Sequence, residues 1–256
     1  MRGYRPASYG DGMADVYDDW YGTPAGEPGQ SELAAMVDRL AALAGDGRAL
    51  ELGIGTGRVA IPLAARGVSV AGVDASPEMV RRLAGKPGGE AIVVTTGDMA
   101  RDLPEGPFRL VFVVVNTFFN LTSEADQHEC LRSVSRVLEP GGHLVIEAFV
   151  PDDTEAAPTA SAVEVRSIDV ERVVLAVSRS DARTQTAMGQ FVDISADGIT
   201  MRPWQIRWAT PAQLDVAAGA AGLSLTARHC DWAGGHFGAD SPRHVSIYTK
   251  TGRADG

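Results

Sequence analysis

The feature that most constrains this chain is a glycine-rich turn, Glu51-Leu52-Gly53-Ile54-Gly55-Thr56-Gly57. It lies between a short apolar run, Ala49 to Leu52, and a helical pattern that continues to Arg66 and stops at Gly67. A strand that passes through such a turn into a helix gathers backbone N–H groups at the helix N-terminus. The lack of side chains lets a ligand approach them closely. The same alternation repeats downstream. Val68 to Val73 reads as a second strand ended by Asp74, and Pro77, after a Ser76 cap, opens a helix reaching about Ala84. Ala91 to Thr95 and Leu110 to Val115 read as the third and fourth strands. Ser123 to Leu138 reads as a helix stopped by Pro140-Gly141-Gly142, and His143 to Val150 as the fifth strand. Strands alternating with helices imply right-handed crossovers and a mostly parallel α/β sheet with helices on both faces. The run Val111-Phe112-Val113-Val114-Val115 is apolar at every position, as a strand buried on both faces requires.

Four regions flank and include this core. Residues 1–44 are expected to form an N-terminal arm and helix lying over the ligand site. Short helices are predicted from Met13 to Tyr21 and from Ser31, as N-cap, to Leu43, with Gly45 closing the second. Residues 45–150 carry the strand–helix core. Residues 151–209 begin with a Pro/Asp/Ala/Thr-rich connector. They continue as β-branched, alternating sequence that predicts a meander of about four antiparallel strands, with a turn at Asp197-Gly198. In residues 210–256, Thr210-Pro211 caps a helix through Ala221. Two further strands, Leu223 to Arg228 and Val245 to Thr249, then complete the core sheet.

The 256 residues suffice for one large α/β domain with an insertion, and 45% hydrophobic with 22% charged residues is the balance of a folded globule. The net charge is −10, with only two lysines, Lys86 and Lys250, and no Lys/Arg-rich run. A polyphosphate partner calls for clustered basic residues, so nucleic acid and anionic membrane surfaces are excluded as partners. The two cysteines, Cys130 and Cys230, lack metal-ligand spacing and read as reduced thiols. No apolar h-region opens the chain and no apolar stretch reaches about 18 residues, so a soluble, cytoplasmic protein is expected.

Ligand chemistry is read from three strand ends. A dinucleotide site of the Gly-x-Gly-x-x-Gly kind would have its third glycine at Arg58, whereas this chain has a glycine one residue earlier, at Gly57. Asp74 follows Gly55 by 19 residues. A carboxylate there can accept from both hydroxyls of a ribose in either class of ligand. Gly97-Asp98-Met99 follows the third strand, where Asp98 can accept from an adenine amine. Together with the Leu138-Glu139-Pro140-Gly141-Gly142 turn, these motifs resemble class I S-adenosylmethionine (SAM) dependent methyltransferases over about residues 45–150. The resemblance implies a Rossmann-like, seven-stranded, mostly parallel sheet with an antiparallel insertion after the fifth strand. It also implies SAM as cofactor, leaving as S-adenosylhomocysteine. It assigns the Gly53, Gly55, Gly57 loop to the methionyl part, Asp74 to the ribose, and Asp98 with Met99 to the adenine. Tyr17, Glu51, Arg58, Ala75, Met79, Gly97 and Asn116 complete the implied cofactor set.

The insertion, the tyrosine-bearing arm, Asn116-Thr117-Phe118-Phe119-Asn120-Leu121 and Glu147-Ala148-Phe149-Val150-Pro151-Asp152 resemble a narrower group. That group is the small-molecule N-methyltransferases of actinomycete antibiotic biosynthesis, amino-sugar or lincosamide type. Nucleic-acid amino methyltransferases carry two prolines after the fourth strand, and Asn116-Thr117-Phe118-Phe119 has neither. The expected acceptor is therefore a small molecule presenting an amine, with an O- or C-methylated metabolite as alternative. A non-catalytic SAM-binding subunit or an NAD enzyme stands as the reading from another class. The candidate catalytic residues are Tyr9, Tyr17, Phe118 and His236, with Asp240 behind them, and the candidate acceptor contacts are Tyr9, Tyr21, Phe118, Phe119 and Phe149. Phe118 and Phe119 read equally as an aromatic wall of that site or as packing beneath the following helix. Asp152 and Asp153 find no partner carboxylates after the fourth strand, so no metal is expected. The insertion is the candidate surface for a homo-oligomer.

Overall fold

The structure is a computed structural model that describes residues 1–22, 27–151 and 159–251. The arm forms α1 (Ser8–Met13) and α2 (Tyr17–Tyr21), followed by α3 (Glu27–Ala44). The core runs β1 (Arg48–Leu52), α4 (Ala60–Ala64), β2 (Ser69–Asp74), α5 (Pro77–Ala84), β3 (Val93–Thr96), β4 (Phe108–Val113), α6 (Glu124–Val137) and β5 (Leu138–Phe149). The insertion is β6 (Thr159–Ile168), β7 (Arg172–Asp181), β8 (Thr186–Ser195) and β9 (Gly198–Arg207). The chain ends in α7 (Pro211–Ala220), β10 (Leu223–His229) and β11 (Arg243–Lys250).

The main sheet has the order β10-β11-β5-β4-β1-β2-β3. Its first five strands in sequence are parallel, and β11 is antiparallel to both β5 and β10. Alternate residues of each central strand feed opposite faces. Leu50, Leu52, Val111 and Val113 pack with Leu131 and Val134 of α6 and Leu214 of α7. Leu110 and Phe112 pack with Met36, Val37 and Leu40 of α3 on the other face. Full burial of such side chains contributes about 1.5–3 kcal/mol each. The order reverses direction between β1 and β4, and at such a switch point the strand ends leave a crevice for a ligand.

The expected caps are present. Ser76 Oγ accepts from Met79 N, and Thr210 forms a reciprocal pair with Gln213. Three local expectations are corrected. Ser31 lies inside α3, because the helix starts a turn earlier, at Glu27. The single arm helix is two, parted at Ala14 to Val16, whose apolar side chains turn inward to pack with Met13 and Met79. The Leu138–Gly142 turn is the first part of β5. Leu138 pairs with Phe108 before Gly141, at φ +75°, absorbs a register shift.

The four-stranded insertion is a separate antiparallel sheet, β6-β7-β8-β9, in the expected meander. Its interior face meets the arm. Trp20 stands edge-on to Phe191 at 5.5 Å, and the Arg202 guanidinium donates to Gly12 O and the Asp15 carboxylate. All ten positions of the edge strand β6 are exposed.

Candidate active site

The turn after β1 is fastened to β2. Gly53 N and Ile54 N both donate to Val73 O, Gly55 N donates to Asp74 Oδ2 at 2.8 Å, and Ser76 N donates to Asp74 Oδ1 at 2.9 Å. Gly53 and Gly55 have φ of +68° and +56°, a region that favours glycine. A side chain at Gly53 would collide with Thr117 Cγ2, 2.4 Å from its Cβ position. One at Gly55 would project into space where only Gly53 O lies within 4.0 Å. The first glycine lets the loop after β4 approach, and the second leaves room for a ligand.

That space belongs to a cavity of about 930 Å³, counted with its mouth. Gly53, Gly55, Asp74, Ala75 and Met79 form one wall, joined by Asp98 and Met99 after β3. Thr117, Asn120, Leu121, Thr122 and Asp126 come from the loop after β4 and the start of α6. Tyr4, Arg5, Pro6, Tyr9, Gly10 and Tyr17 come from the arm. The arm is held against the core by polar bonds at both of its helices. Asp11 accepts from Ser76 Oγ at 2.6 Å, and Asp18 accepts from Thr56 Oγ1 at 2.6 Å and from Lys86 Nζ at 2.8 Å. Arg58 donates to Tyr21 O at 3.0 Å. From the other side, the Arg166 guanidinium of β6 lies 4.6 Å from the Trp20 ring and 4.8 Å from the Tyr21 ring.

Burial raises the Asp74 carboxyl above its usual range, although Ser76 N and Gly55 N favour its ionised form. Burial also pushes the Tyr17 hydroxyl up to about 12 and holds the Tyr9 hydroxyl well above its ordinary value, so both stay protonated at neutral pH. The Ser123 hydroxyl, with Arg101, keeps Asp126 low despite some burial. Asp98 accepts from Ala100 N at 2.8 Å and from Arg101 at 3.0 Å.

Of the residues singled out from the sequence, Tyr9, Tyr17, Gly53, Gly55, Asp74, Ala75, Met79, Asp98 and Met99 line this one cavity. Others stand behind it. Glu51 is buried, its carboxyl raised well above the usual range by burial, with Oε2 lacking a hydrogen-bond partner. Gly57 abuts Ile61 and Leu83, and Gly97 abuts Asp102. Asn116 uses its side chain to accept from Phe149 N at 2.7 Å. Tyr21 packs on Tyr17 at 5.1 Å.

The aromatic wall expected from Phe118 and Phe119 is corrected. Both are core residues, 1% and 0% exposed, with Phe119 edge-on to Phe149 at 5.0 Å, because the turn Thr117–Asn120 directs its two apolar side chains inward. His236 is exposed and bridges to His229 outside the cavity. Asp240 is likewise exposed, and Asp152 and Asp153 lie outside the described residues.

Sequence reasoning missed Tyr4, Arg5, Pro6 and Gly10. Their only signal was membership of a Gly/Pro/Tyr-rich arm. It also missed Thr117, Asn120, Leu121, Thr122 and Asp126 as cavity residues, although the first three belong to the Asn116–Leu121 motif. No helix among the described residues is long and apolar enough to cross a membrane.

The glycine cradle open at Gly55, the Asp74 carboxylate on the cavity and the adjacent Asp98-Met99 corner suit a nucleoside ligand with a compact charged tail. Residues 49–142 match the methyltransferase domain family. The chain is 30% identical over 198 residues to the cypemycin N-terminal methyltransferase of a Streptomyces species, covering 77% of this chain and 80% of that one. The structure of the CcbJ methyltransferase from Streptomyces caelestis aligns with a TM-score of 0.85 at 38% identity, covering 97% of this chain and 100% of that one. SAM-bound CalS10, an amino pentose methyltransferase from Micromonospora echinaspora, shares the fold at TM-score 0.68 and 23% identity, with 92% and 97% covered. Fold and site define a class I SAM-dependent methyltransferase. The chain belongs to the methyltransferase domain family, and its cofactor is SAM.

Proposed function

We propose that this enzyme methylates an amine nitrogen of a small natural product, such as a prolyl amine or an amino sugar. The observation that carries the reading is the proton chemistry of the cavity. Among the described residues that line it there is no histidine, lysine or cysteine; Tyr9 and Tyr17 are held protonated, and Asp126 is held ionised. The Asp74 carboxyl, raised by burial, has both oxygens engaged by Gly55 N and Ser76 N. A hydroxyl nucleophile needs a base poised near neutrality, whereas an amine needs only to enter the desolvated cavity neutral and be aimed. The cypemycin enzyme, an N-terminal methyltransferase by name, supports an amine acceptor.

In this reading the Gly53–Gly57 loop holds the methionyl part of SAM, Asp74 the ribose and Asp98-Met99 the adenine, with Ala75 and Met79 against the nucleoside. Bound there, SAM supplies a methyl group on a sulfonium, already a good leaving group. The chain's own task is placement of the nucleophile about 3 Å from the methyl carbon and in line. The Tyr9 and Tyr17 hydroxyls orient the amine lone pair, and the arm excludes water. After transfer the new ammonium loses its proton to solvent at the cavity mouth.

The exposed edge β6, with Val163 and Val165 68% and 62% exposed, is the proposed contact between copies of the chain, checked by light scattering at several concentrations. A cytoplasmic setting fits the two free thiols, Cys130 and Cys230.

The test is methyl transfer from labelled SAM to L-prolinamide and to a methyl 3-amino-3-deoxyglucoside, each beside its hydroxyl analogue, with the product located by mass spectrometry. N-methyl products from the amines alone are expected. Transfer to the hydroxyl analogues with none to the amines overturns the reading.

A further inference from the structure

The loop after β4 reaches the cavity through a strained corner. Val115 and Asn116 both lie in the left-handed region, at φ +55° and +62°, although neither is glycine and Val115 is β-branched. Such a conformation persists only where its surroundings over-determine it. Here the surroundings are the end of β5. Glu147 Oε2 accepts from Val115 N at 3.0 Å, Glu147 O accepts from Asn116 N at 3.2 Å, and Phe149 N donates to the Asn116 side chain at 2.7 Å. The other carboxylate oxygen of Glu147 lies 3.6 Å from Arg243 of β11, which also pairs with Glu32 of α3. Glu147 is 7% exposed and does not line the cavity. Had β4 continued straight, residues 115 and 116 would have run alongside β5. The corner instead lays Thr117 on Gly53, sends Phe118 and Phe119 into the core, and brings Asn120, Leu121 and Thr122 to the cavity.

We infer that Glu147 is a positioning residue for methyl transfer. Its carboxylate pins the left-handed Val115–Asn116 corner and thereby aims the Thr117–Thr122 segment at the acceptor. Glu147 stands outside the cavity lining and acts through the Val115 amide, while its other carboxylate oxygen faces Arg243. The inference holds for any acceptor, so it stands apart from the amine reading above.

The test compares Glu147→Gln, which keeps an acceptor oxygen, with Glu147→Leu, which keeps the volume and removes it. Val115→Gly is added to each, since glycine adopts φ +55° without strain. Three quantities are read: hydrogen–deuterium exchange of the peptide spanning residues 113–117, S-adenosylhomocysteine affinity by calorimetry, and turnover of L-prolinamide. Glu147→Leu should speed exchange at Val115 at least about 10-fold and cut kcat about 30- to 100-fold, the scale of a misplacement near 1 Å. Cofactor-product affinity should stay within about threefold, because Asp74 and the glycine turn are untouched. Glu147→Gln should lose at most about threefold in kcat, and Val115→Gly should restore about 10-fold of the loss in the Leu variant. Asn116→Ala, which cuts the bond to Phe149 and leaves alanine at φ +62°, should show the same split with a loss of about 5- to 10-fold. It decides the matter if Glu147→Leu fails to fold.

Unchanged exchange in Glu147→Leu overturns the inference, as does a loss of S-adenosylhomocysteine affinity in step with kcat. So does a Gln variant as impaired as the Leu variant, or, should Glu147→Leu not fold, an Asn116→Ala enzyme with full turnover. If the parent enzyme leaves L-prolinamide unmethylated, the amine reading is what suffers, and the exchange and affinity measurements still decide the role of Glu147.

Discussion

Gly55 donates its backbone N–H to the Asp74 carboxylate at 2.8 Å, joining the turn after the first strand to the end of the second. One bond therefore sets two parts of the proposed cofactor site against each other, the open glycine cradle and the carboxylate proposed for the ribose. Disturbing either end should show in cofactor binding before it shows in the fold.

Asp74→Ala should weaken SAM binding by about 1.5–3 kcal/mol, the worth of two charge-assisted hydrogen bonds. Calorimetry on the folded variant checks this, and unchanged affinity would reduce Asp74 to a partner of Gly55 and Ser76. Burial raises the Asp74 carboxyl, and its ionised form is the one proposed to accept from both ribose hydroxyls. SAM affinity in the parent enzyme should thus fall on acidification at a higher pH than the usual aspartate value of about 4.

Gly55→Val should abolish SAM binding while the protein still melts cooperatively. The valine side chain would enter the cavity, where the nearest atom is Gly53 O at 4.0 Å, and so would meet ligand rather than protein. The φ of +56° adds a backbone cost of about 1–2 kcal/mol, visible as a lower Tm. Retained tight binding would remove the cradle assignment.

Tyr9→Phe and Tyr17→Phe should each lower kcat about 10- to 1,000-fold with SAM affinity nearly constant, if their hydroxyls aim the acceptor. Both hydroxyls are raised, Tyr17 to about 12, so neither ionises between pH 6 and 9. The rate should rise with pH as the acceptor ammonium deprotonates, and the midpoint of that rise should be the same in the parent and both variants. A midpoint that moves with Tyr17→Phe would make the phenol the titrating group.

Phe118→Ala is expected to act through stability. The ring is 1% exposed and packs against Phe119 at 6.5 Å, so its removal should cost about 3–5 kcal/mol by leaving a cavity in the core. Denaturant melts read this directly. A variant as stable as the parent but catalytically dead would return Phe118 to the acceptor site.

Arg202→Met should loosen the arm from the insertion. The Arg202 side chain is 6% exposed and ties Asp15 and Gly12 to β9, beside Asp193 at 3.7 Å. Proteolysis within residues 1–22 should accelerate, and turnover should fall more than SAM affinity. Unchanged protection of the arm would show that Trp20 and the bonds of Asp11 and Asp18 suffice.

Much of the molecule was legible in order along the chain. The strand–turn–helix repeat, the caps at Ser76 and Thr210 and the β-branched meander are local, since periodicity and capping depend on residues a few positions apart. The same holds for Gly55, Asp74 and Asp98, each of which sits at the carboxyl end of a successive strand. The position of an aromatic side chain is not local. Phe118 and Phe119 read equally well as wall or core, and only the direction taken by the Val115–Asn116 corner puts them in the core.

The sequence by itself determined the parallel sheet and its strand ends, because the hydrophobic period and the placement of glycine and aspartate encode them residue by residue. The resemblance of those strand-end motifs to methyltransferases implied the cofactor. Tertiary structure alone decided which side chains share the cavity. Tyr9 and Tyr17 reach it because Asp11, Asp18 and Arg202 anchor the arm from two sides. Asn120 reaches it because Glu147, 27 positions away, holds the corner before it. Contacts at such separations follow from how elements pack, and no spacing along the chain announces them.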